Sequence, residues 1–285
     1  MEKIPIRYIH ATPKEPDFSE CFVIRTIQDV LAGQDMVQEL HRHDFFYMLA
    51  LTKGTGTHEI DFTPYPVCDH SVFFLRPGQV HQLLLKAGST GYMIQFRTDF
   101  YYSSDKVSHQ LLRKASTTNF YRLEAHRFQK IHALLGSVFQ ECTDRQESYQ
   151  EAIKASLNIF YIELIRQRNQ SPSNPDNLYL QERLEEFVEL IETHIATHKQ
   201  VSHYADRMHL SSYQLNAITK ATLGKTCSAL ITEYAILEAK RYLLATSNQV
   251  NQIAYQLGYE DVSYFIRFFR KHTGYSPEAF RNNFR

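Results

Sequence analysis

Apolar residues in the first hundred positions fall into short runs between turn-forming residues: Cys21 to Ile27, Phe45 to Thr52, Thr57 to Phe62, Val72 to Arg76, Val80 to Leu85 and Tyr92 to Arg97. Runs of this length and spacing read as β-strands. His58, Ile60 and Phe62 alternate with Thr57, Glu59 and Asp61, the period of two expected of a strand with one buried face. Lys53-Gly54-Thr55-Gly56 and Arg76-Pro77-Gly78-Gln79 each separate two strands as a hairpin turn would. The even spacing predicts a small barrel or sandwich over residues 1 to about 100.

Beyond residue 120 the period changes. Phe128, Ile131, Leu134, Leu135, Val138 and Phe139 recur at steps of three and four, and Ile153, Leu157, Phe160, Tyr161, Leu164 and Ile165 repeat that spacing, with Arg166 and Arg168 at the C-terminal end of the second helix. Such a pair could form a seam between two copies of the chain or pack on its own β-domain, and the pattern alone does not separate the two. Asn169 to Asn177 holds two prolines and no large apolar residue, which marks a linker. The division that results is 1–168, a linker at 169–178, and 179–285.

Past the linker every segment reads as helix. Leu184, Phe187, Val188, Ile191 and Ile195 mark one amphipathic helix. A short theme then occurs twice. Tyr204 to Ser211 opens a short helix, a turn and a second helix anchored by Leu215 and Ile218 and stopped at Gly224. Ile253 to Tyr259 is again a short helix with a glycine turn, and Asp261 caps a helix through His272 that Gly274 ends. Phe265, Phe268 and Phe269 supply its buried side, leaving Ser263, Ile266, Arg267 and Arg270 outward. Leu230, Tyr234, Leu237, Arg241 and Leu244 fit one connecting helix. Two helix-turn-helix units on a rod suit successive major-groove segments of DNA.

Composition narrows the class without naming the chemistry. At 285 residues with 43% hydrophobic, 13% aromatic and 22% charged, the chain is ordinary globular material in two domains. Its longest apolar run, Phe45 to Leu51, is far too short to span a bilayer, and the N-terminus lacks the apolar stretch of an export signal. Cys21, Cys68, Cys142 and Cys227 form no CxxC pair, so reduced thiols and a cytoplasmic location are expected. The net charge of zero hides an asymmetry: from Lys199 onward 11 Lys and Arg stand against 6 Asp and Glu, which makes the C-terminal third basic.

The run Ile253-Ala254, Gly258-Tyr259, Asp261, Ser263-Tyr264-Phe265, Arg267, Phe269-Arg270-Lys271, Gly274 and Ser276-Pro277 resembles the second-unit signature of the AraC family of bacterial transcription regulators. The resemblance extends from about Leu180 to Arg281 and implies a double helix-turn-helix domain. The first unit departs from the family pattern: Thr219 and Cys227 stand where Phe is usual, and Ala235 where a phosphate-contacting Arg is common. With the signature as guide, Ser263, Ile266 and Arg267 are the leading base-reading candidates. Tyr213 and Asn216 follow, Asn216 because its amide edge suits adenine. Lys220, Arg270 and Lys271 are backbone anchors, and Val262 is an apolar contact.

His41-Arg42-His43, Tyr47, Gly54-Thr55-Gly56 and Phe73 to His81 resemble the cupin-type sensing domain often joined to this DNA-binding domain. In metal-dependent cupins an HxH pair, a nearby Glu and a later His converge on the ion; here Tyr47 stands where that Glu would. A metal-free effector pocket formed by His41, His43, Tyr47 and His81 is therefore expected. The reading as a whole is an α+β multidomain protein: a cupin-like β-barrel with a helical dimerisation segment, followed by an all-α domain with two helix-turn-helix units. The resemblance implies a homodimeric activator that binds double-stranded DNA, responds to a small-molecule effector, uses no cofactor, and takes RNA polymerase as a further partner. No GxGxxG, Walker A, GxSxG or HExxH pattern suggests an enzyme. Two alternatives stay open: a metal-dependent cupin enzyme carrying a DNA-binding domain, and a constitutive DNA-binding protein whose β-domain only dimerises.

Overall fold

The computed structural model describes residues 6–7, 21–97, 100, 106–168 and 175–284. The chain divides into two compact units, one spanning Ile6–Ser171 and the other built on Pro172–Arg285.

In the first unit the strands are β1 (Ile6–Arg7), β2 (Phe22–Thr26), β3 (Met36–His43), β4 (Phe46–Lys53), β5 (Gly56–Ile60), β6 (Thr63–Val67), β7 (Ser71–Leu75), β8 (Val80–Leu85), β9 (Thr90–Phe96) and β10 (Phe120–Arg122). The helices are α1 (Ile27–Leu31), α2 (Lys106–Ser116), α3 (Ala125–Asp144) and α4 (Tyr149–Arg168). One sheet runs β1-β3-β8-β5-β6, the other β10-β7-β4-β9-β2. Strand β4 explains the longest apolar run of the chain. Its Tyr47, Leu49 and Leu51 pack with Ile60, Phe73, Leu83 and Leu85 in one core, while Phe46, Met48 and Ala50 on its other face join a core shared with the helices. A strand covered on both faces has no polar positions left to alternate.

Three expectations change here. The two turns read as hairpins instead carry the chain from one sheet to the other, β4 to β5 and β7 to β8. The tight hairpin lies between β5 and β6, where Ile60 pairs with Thr63 and both loop residues, Asp61 (φ 47°) and Phe62 (φ 65°), are left-handed. That geometry matches the twist of antiparallel strands, and it takes Phe62 out of the alternation. Strands β3 and β6 carry weak signals, β3 because it is largely polar and β6 because Pro64 and Pro66 occupy it. Prolines are tolerated there because, among the described residues, β6 is an edge strand paired with β5 alone.

The apolar stripes of α3 and α4 are consumed within the chain. Phe128, Ile131, Leu135, Val138, Ile153, Leu157, Phe160, Tyr161 and Leu164 are all buried in the core that covers β4, β7 and β9. Packing on the chain's own sheet is thus what these stripes do, and a dimer seam has to use other side chains. The Glu163 carboxylate on α4 links the two helices through Lys130 Nζ at 2.8 Å and also meets Arg166 at 2.8 Å; these cations hold its acid below the usual carboxylate range.

The second unit consists of α5 (Pro175–His194), α6 (Val201–Arg207), α7 (Ser212–Leu223), α8 (Cys227–Ala245), α9 (Val250–Gln256), α10 (Val262–Thr273) and α11 (Pro277–Phe284). Residues 169–174 of the expected linker lie outside the described residues. Its last four positions, 175–178, are the first turn of α5, where Pro175 is preset for a helix start and its missing N–H costs nothing. Helix α8 serves two cores. Cys227, Leu230, Ile231 and Ala235 pack with α5, α6 and α7, whereas Ile236, Ala239 and Leu243 pack with α9, α10 and α11.

Candidate functional site

The two helix-turn-helix units share a backbone plan that their sequences only partly advertise. In each, the residue closing the turn after the first helix is left-handed, His209 (φ 53°) and Gly258 (φ 72°), and the next N–H returns to the first helix: Leu210 to the Ala205 carbonyl and Tyr259 to the Ala254 carbonyl, both 2.9 Å. At the second turn only glycine fits, since a Cβ on Gly258 would lie 2.1 Å from the Ala196 carbonyl oxygen. The Lys199 ammonium closes the same junction, donating to the Leu257 carbonyl and lying 4.5 Å from the Tyr259 ring centre.

The second helix of each unit is capped at both ends. Ser211 accepts from the Gln214 N–H while Gln214 Oε1 accepts from the Ser211 N–H at 2.9 Å, and Asp261 Oδ1 accepts from the Ser263 N–H (2.7 Å) and the Tyr264 N–H (3.1 Å). Gly224 and Gly274 end the helices in left-handed conformation. These caps satisfy backbone groups that the ends of both helices would otherwise leave without partners.

Most of the side chains singled out from sequence share the outward face. Tyr213 is 84% exposed, and Lys220, Ser263, Arg267, Arg270 and Lys271 are exposed; Val262 is half-buried against the core, and Ile266 is half-buried. Arg267 lies 3.9 Å from Asp261 with both side chains in solvent, a loose pair that leaves the guanidinium able to turn to a base edge. Asn216 is placed differently. Its Oδ1 accepts from the Cys227 N–H at 2.9 Å, so the amide is turned toward α8 and does not present both prongs outward. Tyr264, 53% exposed, escaped the sequence reading although the step from 264 to 267 to 271 puts it on the stripe of Arg267 and Lys271.

The family's missing aromatics are accounted for by a small polar contact. Thr219 and Cys227 are both fully buried, with Thr219 Oγ1 3.4 Å from Cys227 Sγ, and burial pushes the thiol's pKa up. Ala235 is buried in the first core, so no phosphate contact comes from that position.

In the first unit the structure brings His41, His43, Tyr47 and His81 together and adds a residue that sequence reasoning had used only as part of a strand, His58. All five are 5% exposed or less. His41 pairs with His81 across β3 and β8, and His58 lies on β5, the other neighbour of β8. The rings form a chain: His58 Nε2 is 2.8 Å from His81 Nδ1, and His81 Nε2 is 2.7 Å from His43 Nε2. His41 Nδ1 lies 2.6 Å from the Glu39 carbonyl oxygen, and the Tyr47 ring stacks on His43 at 5.4 Å. Burial, with a smaller contribution from the nearby His41, pushes the pKa of His58 down to about 3. His41, His43 and His81 can each turn a ring nitrogen to a common point, these atoms lying within 4.8 Å of one another; no Cys, Asp or Glu of the described residues joins them. A separate cavity of about 460 Å³ opens near the far end of β4, lined by residues that include Gly54, Asp69, His70 and Arg122.

A β-sheet unit with a buried polar cluster, joined to a pair of capped helix-turn-helix units with exposed cations, defines a two-part DNA-binding regulator. Residues 31–188 match the AraC-like ligand binding domain, and residues 204–283 match a helix-turn-helix domain. The chain belongs to the AraC family of transcription regulators, with an N-terminal ligand-binding domain and a C-terminal DNA-binding domain. It is 24% identical over 249 residues to the HTH-type transcriptional activator RhaS of Escherichia fergusonii, covering 85% of this chain and 86% of the relative. Against RhaS of Pectobacterium carotovorum subsp. carotovorum it is 24% identical over 245 residues, covering 85% and 87%. Among solved structures, an AraC-type transcriptional regulator from Chromobacterium violaceum is 27% identical over 38% of this chain and 96% of its own, with a TM-score of 0.35. Among the described residues no helix is long and apolar enough to cross a membrane.

Proposed function

We propose that this protein is an effector-responsive activator of transcription that acts in the cytoplasm as a homodimer, has no catalytic activity of its own, and recruits or contacts RNA polymerase. The observation that carries the reading is the pair of matched helices α7 and α10, each capped at both ends and each presenting polar or cationic side chains to solvent. In this reading Ser263, Ile266, Arg267 and Tyr213 read bases, Val262 makes an apolar contact, and Lys220, Arg270 and Lys271 grip phosphates. The likeness in sequence to transcriptional activators supports the sign of regulation. The first unit, residues 1–168, would hold the effector near His41, His43, Tyr47 and His81 and would form the dimer. Residues 169–178, the last four of them forming the first turn of α5, would join it to the DNA-binding part at 179–285.

Selection of bound sequences from random DNA by the full-length protein tests this. The expected product is a two-part motif whose halves are about one helical turn, roughly 10 base pairs, apart. Screening metabolites for a change in binding to that motif then identifies the effector, because a ligand regulates only if it binds the active and inactive arrangements with different affinity. No enriched motif would overturn the reading.

A further inference from the structure

We propose that Lys199 is a positioning residue for DNA recognition: its ammonium, held between the C-terminal ends of α5 and α9, fixes the angle between α7 and α10 and so the spacing of the half-motifs that the protein accepts.

The contacts are few but they join the two helix-turn-helix units. Helix α5 and the loop after it belong to the first core, through Phe187, Ile191 and Ile195, and the Tyr204 hydroxyl donates to the His198 carbonyl at 2.6 Å. From that loop the Lys199 side chain crosses to the second unit. Its Nζ donates to the Leu257 carbonyl at the C-terminal cap of α9, and the Ala196 carbonyl, just past the end of α5, lies 3.5 Å away. Both acceptors stand at the negative end of a helix dipole, and two such ends brought together repel unless a cation lies between them. Among the described residues no carboxylate pairs with this ammonium, so the two carbonyls and the face of the Tyr259 ring are its partners. Burial pushes the pKa of Lys199 down, and these partners hold the charged form in place against that desolvation cost.

The link continues into the second recognition helix. Tyr259 is buried, its ring centre 4.5 Å from the ammonium, 5.1 Å from that of Phe265 and 5.6 Å from that of Phe268, both on α10. Each unit has its own buried core, so removal of the charge should leave both folded and loosen the joint, where α8 and the packing of Phe268 against both cores remain. With the joint fixed, α7 and α10 match a single spacing of major-groove segments.

The proposal rests on the reading of a two-part DNA motif, and the test keeps the two claims apart. Full-length wild type, Lys199→Met, Lys199→Gln and Lys199→Arg are titrated against the selected motif, the same motif with one base pair inserted between its halves, and each half alone. One inserted pair moves the halves about 3.4 Å apart and turns them by about 35°. The wild type should lose at least about tenfold in affinity on the inserted site, because units that cannot engage both halves at once forfeit their avidity. Lys199→Met, which keeps the length of the side chain without its charge, should lose less than about threefold, and Lys199→Gln should behave likewise. Lys199→Arg, which can still donate to both carbonyls, should follow the wild type. Affinity for a single half should be equal in all four proteins, which a variant that merely unfolds does not show. An equal penalty in wild type and Lys199→Met, or no penalty in wild type, would each overturn the proposal. If selection yields no two-part motif, the DNA reading fails and the joint is judged without DNA. Spin labels carried by non-natural amino acids at the exposed positions Ala221 on α7 and His272 on α10, diluted with unlabelled protein, report the distance within one chain. A single narrow distance that broadens in Lys199→Met is expected, and equal widths would overturn the proposal.

Discussion

Asn216 Oδ1 accepts a 2.9 Å hydrogen bond from the backbone N–H of Cys227, tying the middle of the first recognition helix to the first residue of α8. Helix α8 is the rod between the two helix-turn-helix units, so this bond helps set how α7 is presented. Asn216→Ala should cost about 1 kcal/mol of stability, the usual value of one hydrogen bond. It should also weaken binding to every DNA sequence by a similar factor. Thermal melting and titration against a panel of single-base variants check both. A loss confined to one base position would return Asn216 to adenine reading.

Arg267 and Lys220 are exposed on their recognition helices and should respond in opposite ways. Arg267→Ala is expected to cost about 1–3 kcal/mol on the preferred site and to relax choice at one base pair, whereas Lys220→Ala should weaken all sequences alike and flatten the salt dependence. Competition binding at two salt concentrations separates the two behaviours. Tyr264, on the same stripe as Arg267, belongs in the same series.

Gly258→Ala should be among the most damaging single-methyl changes in the second unit. The new Cβ meets the Ala196 carbonyl oxygen at 2.1 Å, and the backbone there is left-handed, φ 72°. Strain alone costs about 1 kcal/mol, and the clash adds to it by forcing the α9 turn away from the end of α5. A melting point equal to that of the wild type would show that the junction yields freely.

Leu135→Ala separates internal packing from a dimer seam. Leu135 is fully buried among α3, α4 and the sheet, so truncation should cost about 2–5 kcal/mol and leave the dimer dissociation constant unchanged in sedimentation. The full chain should sediment as a dimer at micromolar concentration. A segment from about residue 178 should bind DNA more weakly, since tethering two units raises avidity without new contacts. A shift of the Leu135→Ala protein to monomer would place the seam on these helices.

Cys227 should be the slowest of the four thiols to alkylate. It is fully buried and its thiol titrates above the usual value because of that burial, whereas Cys21, Cys68 and Cys142 are half-buried. Mass spectrometry after a short pulse of iodoacetamide should find Cys227 labelled only across the unfolding transition.

Local pattern was enough to determine the second unit. Helix caps, glycine stops and the three-and-four spacing of Leu215, Ile218, Phe265 and Phe269 all act within a few residues of one another, so the double helix-turn-helix could be read directly. Most strands of the first unit were legible for the same reason, since each carries its own apolar run. Sheet partnership was not legible, because it is set by residues far apart in the chain: β4 and β5 follow one another yet belong to different sheets. Two uses of side chains depended on that long-range geometry. His58 meets His81 only because β5 lies beside β8, 23 positions along the chain, and Asn216 accepts from the Cys227 N–H because α8 begins beside it, 11 positions later. Periodicity places a side chain on a face of its own element; tertiary packing decides which hydrogen-bond partner waits there.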